Sequence, residues 1–195
     1  MSGSIETRWA VATDLPAIGQ LTVLAIDALQ AAFLTPAQIA ASHAIMGVDT
    51  QLIDDGTYLL AERDGVLVGC GGWSRRATLY GGDHSGSLRD ATLLDPATDP
   101  AKIRAMYTHP AHARQGVGRI ILAGCEDAAR DAGFAALELM ATAGGRSLYA
   151  ACGYQAIADA DTDVGGVIIP LTKMRKALAT AQQATLHSSD SHGLQ

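Results

Sequence analysis

The chain has 195 residues, 48% of them apolar and 17% charged, with a formal net charge of −6 at pH 7. That suits one domain with a real core rather than a disordered chain. The missing lysine or arginine block disfavours nucleic acid, and the missing 18-residue apolar run disfavours a membrane span. Three widely spaced cysteines, Cys70, Cys125 and Cys152, predict neither a disulfide frame nor a zinc ribbon. The opening residues 1–6 lack the basic and apolar regions of a signal peptide, so a reduced cytoplasm is the expected compartment.

Residues 8–11 read as a short first strand. Thr13 or Asp14 can cap a helix with Pro16 in its first turn, and Ile18, Leu21, Thr22, Ala25 and Leu29 recur at helical spacing. Thr35-Pro36 starts a second helix toward Met46 by the same logic. Strand-like runs over 57–62 and 66–71 flank Asp64-Gly65, a tight hairpin turn, so these strands are antiparallel neighbours, and Trp73 ends the second. Residues 75–100 are irregular and glycine- and proline-punctuated; a connection this long is either a functional wall or lid, or a solvated insertion.

A fourth strand covers 102–108 and a helix covers 120–132. Ile120, Ile121, Gly124 and Ala128 form its expected inner face, with Gly124 permitting close packing; Glu126 and Arg130 are spaced for an i,i+4 pair on the outer face. Gly133 stops the helix and the run to Met140 supplies a fifth strand. A last strand is expected over 164–171, with Pro170 marking an edge or an end. The domain is expected over 1–176, with 177–195 a frayed helix and disordered tail.

Between the fourth strand and its helix stands Arg114-Gln115-Gly116-Val117-Gly118-Arg119. The first helical N–H groups lack partners and the dipole there is positive, so a strand, glycine-rich turn and helix make an anion site. A Walker A loop fails because Arg119-Ile120 follows Gly118, and a dinucleotide fingerprint fails because its third small residue would be Ile121. The stretch from His109 to Arg119 resembles instead the pyrophosphate loop of the GNAT acetyltransferases, Arg/Gln-x-x-Gly-x-Gly/Ala, with Ala113 departing at its first position. Downstream, Ser147-Leu148-Tyr149-Ala150-Ala151-Cys152-Gly153-Tyr154 resembles the family's tyrosine-bearing short helix followed by Gly-Phe/Tyr.

The resemblance implies an α/β (α+β) fold with a mixed, mostly antiparallel sheet, helices on both faces, and fourth and fifth strands that splay apart. It implies acetyl-coenzyme A as co-substrate, without metal, and direct transfer to an amine of a small molecule or peptide. The carried-over cofactor contacts are Met106, Tyr107 and Thr108, chiefly through main-chain groups, with Arg114, Gln115, Gly116, Val117, Gly118 and Arg119 around the pyrophosphate. Tyr149 is the expected general acid toward the leaving thiolate; packing of its ring is the structural alternative. A glutamate base on the fourth strand is missing, since that strand carries Lys102 and Arg104. Asp83, His84 and Asp95 in the irregular segment are the candidate bases, and His has a suitable ordinary pKa. His109 and His112 are read as turn residues, and Cys125 and Cys152 as structural. The acceptor's charge stays open: an acidic protein suits a cation, whereas Arg75, Arg76, Arg89 and Arg104 suit an anion. A homodimer is compatible with these features, and the rival reading is a non-catalytic acyl-coenzyme A-binding sensor or partner module.

Overall fold

A computed structural model describes residues 3–178; the expectations for the 177–195 tail lie outside it from residue 179 onward. The first strand, β1 (Ile5–Trp9), begins earlier than predicted. After a short turn comes α1 (Leu15–Leu29), then α2 (Pro36–Ser42) and α3 (Thr50–Asp54). The α2 cap is the predicted one: the Thr35 hydroxyl accepts from the Gln38 amide and Gln38 reaches back to Thr35. The helix stops at Ser42, short of Met46, and α3 had no periodic signal in five residues.

The hairpin turn at Asp64-Gly65 joins β2 (Tyr58–Arg63) to β3 (Val66–Ser74). Then follow β4 (Ala101–Thr108), α4 (Val117–Asp131), β5 (Ala136–Thr142) and α5 (Arg146–Ala151). The expected single strand over 164–171 is instead broken at Pro170. The chain runs β6 (Gln155–Asp159), β7 (Thr162–Val164), β8 (Val167–Ile169) and β9 (Leu171–Ala177). Pro170 cannot donate to a ladder, so it divides a small β7–β8 hairpin from the strand that enters the main sheet.

The main sheet has seven strands in the order β1-β2-β3-β4-β5-β9-β6, antiparallel throughout except for β4 and β5. Those two pair in parallel only at Ala101–Leu137 and Lys102–Glu138, and part beyond. On one face α1 and α3 bury Ile18, Leu21, Ile26 and Leu52 against Tyr58, Leu60 and Tyr107. By length and apolarity alone, residues 12–29 would pass for a bilayer span; here one stripe of that helix packs on the sheet.

On the other face α4 buries Val117, Ile121, Leu122, Cys125 and Ala129. This stripe is rotated from the predicted one: Ile120 is exposed, and Glu126 is buried against Lys176 of β9 at 2.6 Å rather than paired with Arg130, which bonds Asp127. Val117, Ile121, Leu122, Cys125 and Ala129 form the apolar stripe against the sheet, and Glu126 at its margin meets Lys176. Burial raises the Cys125 thiol, and a buried Cys70 thiol is pushed up to about 12, so both stay protonated and inert at neutral pH.

Two glycines set how closely α4 approaches. A Cβ on Gly69 of β3 would lie 2.5 Å from Val117 Cγ1 and 2.9 Å from Ile121 Cδ1, and one on Gly124, as predicted, would meet Leu59 Cδ2 at 2.7 Å. Gly69→Ala therefore pushes the first turn of α4 off the sheet. We expect a loss of about 1–3 kcal/mol, the usual cost of overpacking, measured by denaturant unfolding; an unchanged midpoint would show that the contact relaxes freely.

Candidate active site

The parting of β4 and β5 opens a cleft of about 810 Å³. At Ala105 the strand bulges: φ is +51°, and the β3–β4 register shifts between Cys70 and Gly72. The buried Tyr58 hydroxyl donates to the Ala105 carbonyl at 3.0 Å and holds the bulge. From residue 103 to 108 the β5-facing edge of β4 has no partner strand, and Met106, Tyr107 and Thr108 line the cleft there. Free main-chain groups in a narrow cleft are ready donors and acceptors for an extended ligand.

One end of the cleft is the start of α4. Arg114 (φ +64°) and Gly116 (φ +85°) turn the chain left-handed just before Val117, and no side chain caps the helix. Its first amides are open, beside Gly118, with Arg114 and Arg119 also on the cleft. These groups can hold a phosphate-bearing ligand. Gln115 is different: its side chain turns back, donating to the Ala111 carbonyl at 3.0 Å and accepting from Arg63 at 2.6 Å. Arg63 also meets His112 Nδ1 at 3.3 Å, and His109 Nδ1 accepts from the Ala111 amide. Both histidines are turn residues. No cluster of metal-ligand type occurs among the described residues.

Tyr149, on α5, lines the cleft and is 8% exposed, with its ring edge-on to Tyr154 at 5.9 Å. Burial raises its pKa, so the hydroxyl keeps its proton well above neutrality and can serve there as an acid but not as a base. The cleft thus brings together Tyr149, the β4 edge and the start of α4.

It does not bring Asp83 and His84 to the cleft. Gly81 and Gly82 line it, but the chain turns away at the next residue. Asp83 accepts from the Thr50 amide at 3.0 Å and lies 3.6 Å from Arg89; His84 bonds the His43 carbonyl at 2.8 Å. Asp95 caps its own turn through the amides of Ala97 and Asp99, the latter by its carbonyl. The irregular segment is a wall in part, through Leu79, Tyr80, Gly81 and Gly82. No Asp, Glu or His lines the cleft among the described residues.

The far end of the cleft is built from the last turns of α1 and the loop before α3. Tyr107 fastens that loop: its hydroxyl accepts from the Gly47 amide at 3.1 Å and faces the Gly47 carbonyl at 3.2 Å. Beneath it lies a buried ion pair, Asp49 with Arg104 of β4, shared by Arg89 at 3.1 Å. Burial pushes the Asp49 carboxyl up, and the two guanidinium groups pull it back. Arg104 Nε and Nη1 and Gln30 Oε1 are buried without a partner among the described residues. A buried group left unpaired costs about 1–3 kcal/mol. These partners are 55 residues apart, so no local signal could pair them.

The model of the acetyltransferase (GNAT) family matches residues 25–154. Among solved structures, the chain is similar to a GCN5-related N-acetyltransferase from Rhodopseudomonas palustris, at 22% identity and TM-score 0.66, covering 91% of this chain and 98% of that one. It is similar to yncA, a putative acetyltransferase from Salmonella typhimurium solved with its cofactor acetyl-CoA, at 22% identity, TM-score 0.60, and 91% and 95% coverage. It is also similar to the PaiA N-acetyltransferase from Thermoplasma acidophilum in complex with coenzyme A, at 17% identity, TM-score 0.61, and 90% and 99% coverage. No curated protein matches the chain.

Asp49→Ala strands Arg104 as an unpaired buried charge. It should cost about 3–5 kcal/mol, the scale for a broken buried pair. Replacing both, Asp49→Ala with Arg104→Met, should recover most of that loss in the same unfolding experiment; no recovery would place the damage elsewhere.

Proposed function

The chain belongs to the GNAT acetyltransferase family, and we propose that it moves an acetyl group from acetyl-coenzyme A to a primary amine by direct attack. The observation that carries this reading is the parted β4 and β5, with open α4 amides at one end and a protonated tyrosine beside the gap. The amides of Val117, Gly118 and Arg119, with Arg114 and Arg119 side chains, receive the pyrophosphate. The free edge of β4 at Met106, Tyr107 and Thr108 bonds the pantetheine arm and presents a main-chain donor to the thioester oxygen. Such a donor is fixed in advance and needs no reorganisation as charge develops. The amine nitrogen bonds to the acetyl carbon, the carbon–sulfur bond breaks, and Tyr149 gives its proton to the departing thiolate.

The amine must lose a proton, and among the described residues no carboxylate or imidazole lines the cleft to take it. We assign that proton to solvent water, which makes the acceptor's own pKa the controlling one. The same observation favours the second reading, a non-catalytic acyl-coenzyme A-binding sensor or partner module. Acetyl-CoA turnover against a panel of amines separates the two: amine-dependent thiol release supports the enzyme, and tight binding without any release supports the module. All three cysteines are free, which accords with a reducing cytoplasm.

Gly118→Glu puts a negative side chain where the pyrophosphate must sit, and its Cβ displaces Leu148 from 2.9 Å. Coenzyme A affinity should fall about tenfold or more, equal to 1.4 kcal/mol for each tenfold. Calorimetric titration checks this; a folded variant with normal affinity would remove the loop from the site.

Tyr149→Phe keeps the ring and deletes the proton. We expect kcat to fall about a hundredfold, with coenzyme affinity and melting temperature little changed. Because burial raises the phenol, the acid form persists through the neutral and mildly alkaline range. The wild-type kcat/KM should therefore climb with pH toward the amine's own pKa without a falling limb below it. A decline between pH 7 and 9 would assign the acid to another group.

A further inference from the structure

The coenzyme end of the cleft is polar, and the far end is not. There the lining is Leu29 and Phe33 from the last turn of α1 and the residues after it, Met46 from the loop before α3, Leu79 and Tyr80 from the irregular segment, and Met140 from β5. Each of these six side chains is half-buried or exposed, so each has surface to offer a ligand. Met46, Tyr80 and Met140 pack around the buried Ile45 and Leu171 as one apolar cluster. Phe33 stands at the mouth. A Cβ on Gly144, in the loop after β5, would lie 3.3 Å from Cδ2 and Cε2 of its ring, so the ring reaches from the α1 side to the β5 side. It is nonetheless 57% exposed.

The charges near this lining are committed or covered. Among the described residues no carboxylate lines the cleft. Arg76 pairs with Asp55 at 2.7 Å, Arg89 with Asp49 at 3.1 Å, and Arg75 lies over the Trp73 ring. Arg104 is 3% exposed, with Nη2 on Asp49 and with Nε and Nη1 covered by the wall. Gln30 turns its Nε2 to the Met46 sulfur at 3.4 Å, and its Oε1 is covered as well. The Tyr80 hydroxyl meets that of Thr162 at 3.1 Å. A second ammonium or a carboxylate placed here would lose its hydration and gain no counter-charge. Hydrocarbon placed here gains by leaving water, about fourfold in affinity per methylene.

Resting on the acetyl-transfer reading, we propose that the acceptor is a primary amine with an apolar hydrocarbon body and no second charge, and that Phe33 helps set this specificity. The hydrocarbon lies among the six side chains, with its nitrogen directed along the cleft toward Tyr149. An apolar wall disfavours the ammonium form, so the free amine is the form that binds. That selection suits a cleft with no carboxylate or imidazole among the described residues.

Three acceptors of one length test this, because they differ only at the far terminus. Hexylamine ends in a methyl group, 1,5-diaminopentane in an ammonium and 6-aminohexanoate in a carboxylate. Thiol release from acetyl-CoA by the wild-type protein should give hexylamine a kcat/KM about tenfold or more above the other two. From propylamine to hexylamine, which are equally basic, kcat/KM should climb about fourfold per methylene. Equal or better turnover of the diamine or the amino acid, or a flat alkylamine series, overturns the proposal and leaves acetyl transfer standing. Turnover of another amine with none of hexylamine does the same. If no amine releases thiol, the acetyl-transfer reading fails. Titration of hexylamine and 1,5-diaminopentane into coenzyme A-saturated protein then still decides apolar recognition, and equal binding of the two, or none, overturns it.

Phe33→Ala should raise KM for hexylamine about tenfold with kcat nearly unchanged. Phe33→Glu supplies the counter-charge that the wall lacks, so it should narrow or reverse the preference for hexylamine over 1,5-diaminopentane. The ring is exposed, and a melting curve checks that both variants fold. Leu79→Glu repeats the charge test from the irregular segment should they not. Unchanged selectivity in the folded glutamate variants overturns the assignment.

Discussion

The separation of β4 from β5 is the constraint on which the site depends. Two parallel strands in one sheet would ordinarily pair along their length and leave no exposed main chain. Here Ala105 adopts a left-handed conformation that costs a Cβ-bearing residue about 1–3 kcal/mol. The bulge swings the rest of β4 away after only two paired positions. The strain is held by surroundings that leave it no alternative: Tyr58, wholly buried, bonds the Ala105 carbonyl, and Tyr107 anchors the next stretch to Gly47. A rigid gap presents its donors without any closing motion, which suits electrostatic stabilisation by main-chain groups.

The same strand links the sheet's two faces. Ile103 packs toward α4, whereas Arg104 packs toward α3 and Asp49. Close approach of α4 over Gly69 sets the height of its first turn, and thus of the open amides. Displacing either face would shift one end of the cleft relative to the other. The distance between a phosphate group and a reacting centre is in this way fixed by core packing rather than by loops.

Local chemistry was legible in the sequence. The Asp64-Gly65 turn, the Thr35 capping box, the glycines before α4 and the tyrosine of α5 each depend on residues within one turn or one strand of each other. What could not be read were contacts across long separations. The face of α4 depends on the sheet it meets, and Glu126, read as outward, pairs with Lys176 of β9, 50 residues on. Asp83 and His84 carry suitable chemistry, yet Thr50 and His43 claim them. Pro170 was seen as a strand end, but a hairpin beyond it required knowing that β9 enters between β5 and β6.

A cleft lined, among the described residues, by a protonated phenol and no carboxylate or imidazole divides the chemistry unevenly. Burial that keeps Tyr149 protonated would equally penalise an ionised carboxylate beside it. A base in this position would need a partner charge, and Asp49, buried under the loop before α3, is already committed to two arginines. On the acetyl-transfer reading we propose, Tyr149 assists the thiolate's departure and the amine's deprotonation is left to water, so the rate follows the fraction of acceptor already present as free amine, and an acceptor of lower amine pKa reacts faster at neutral pH.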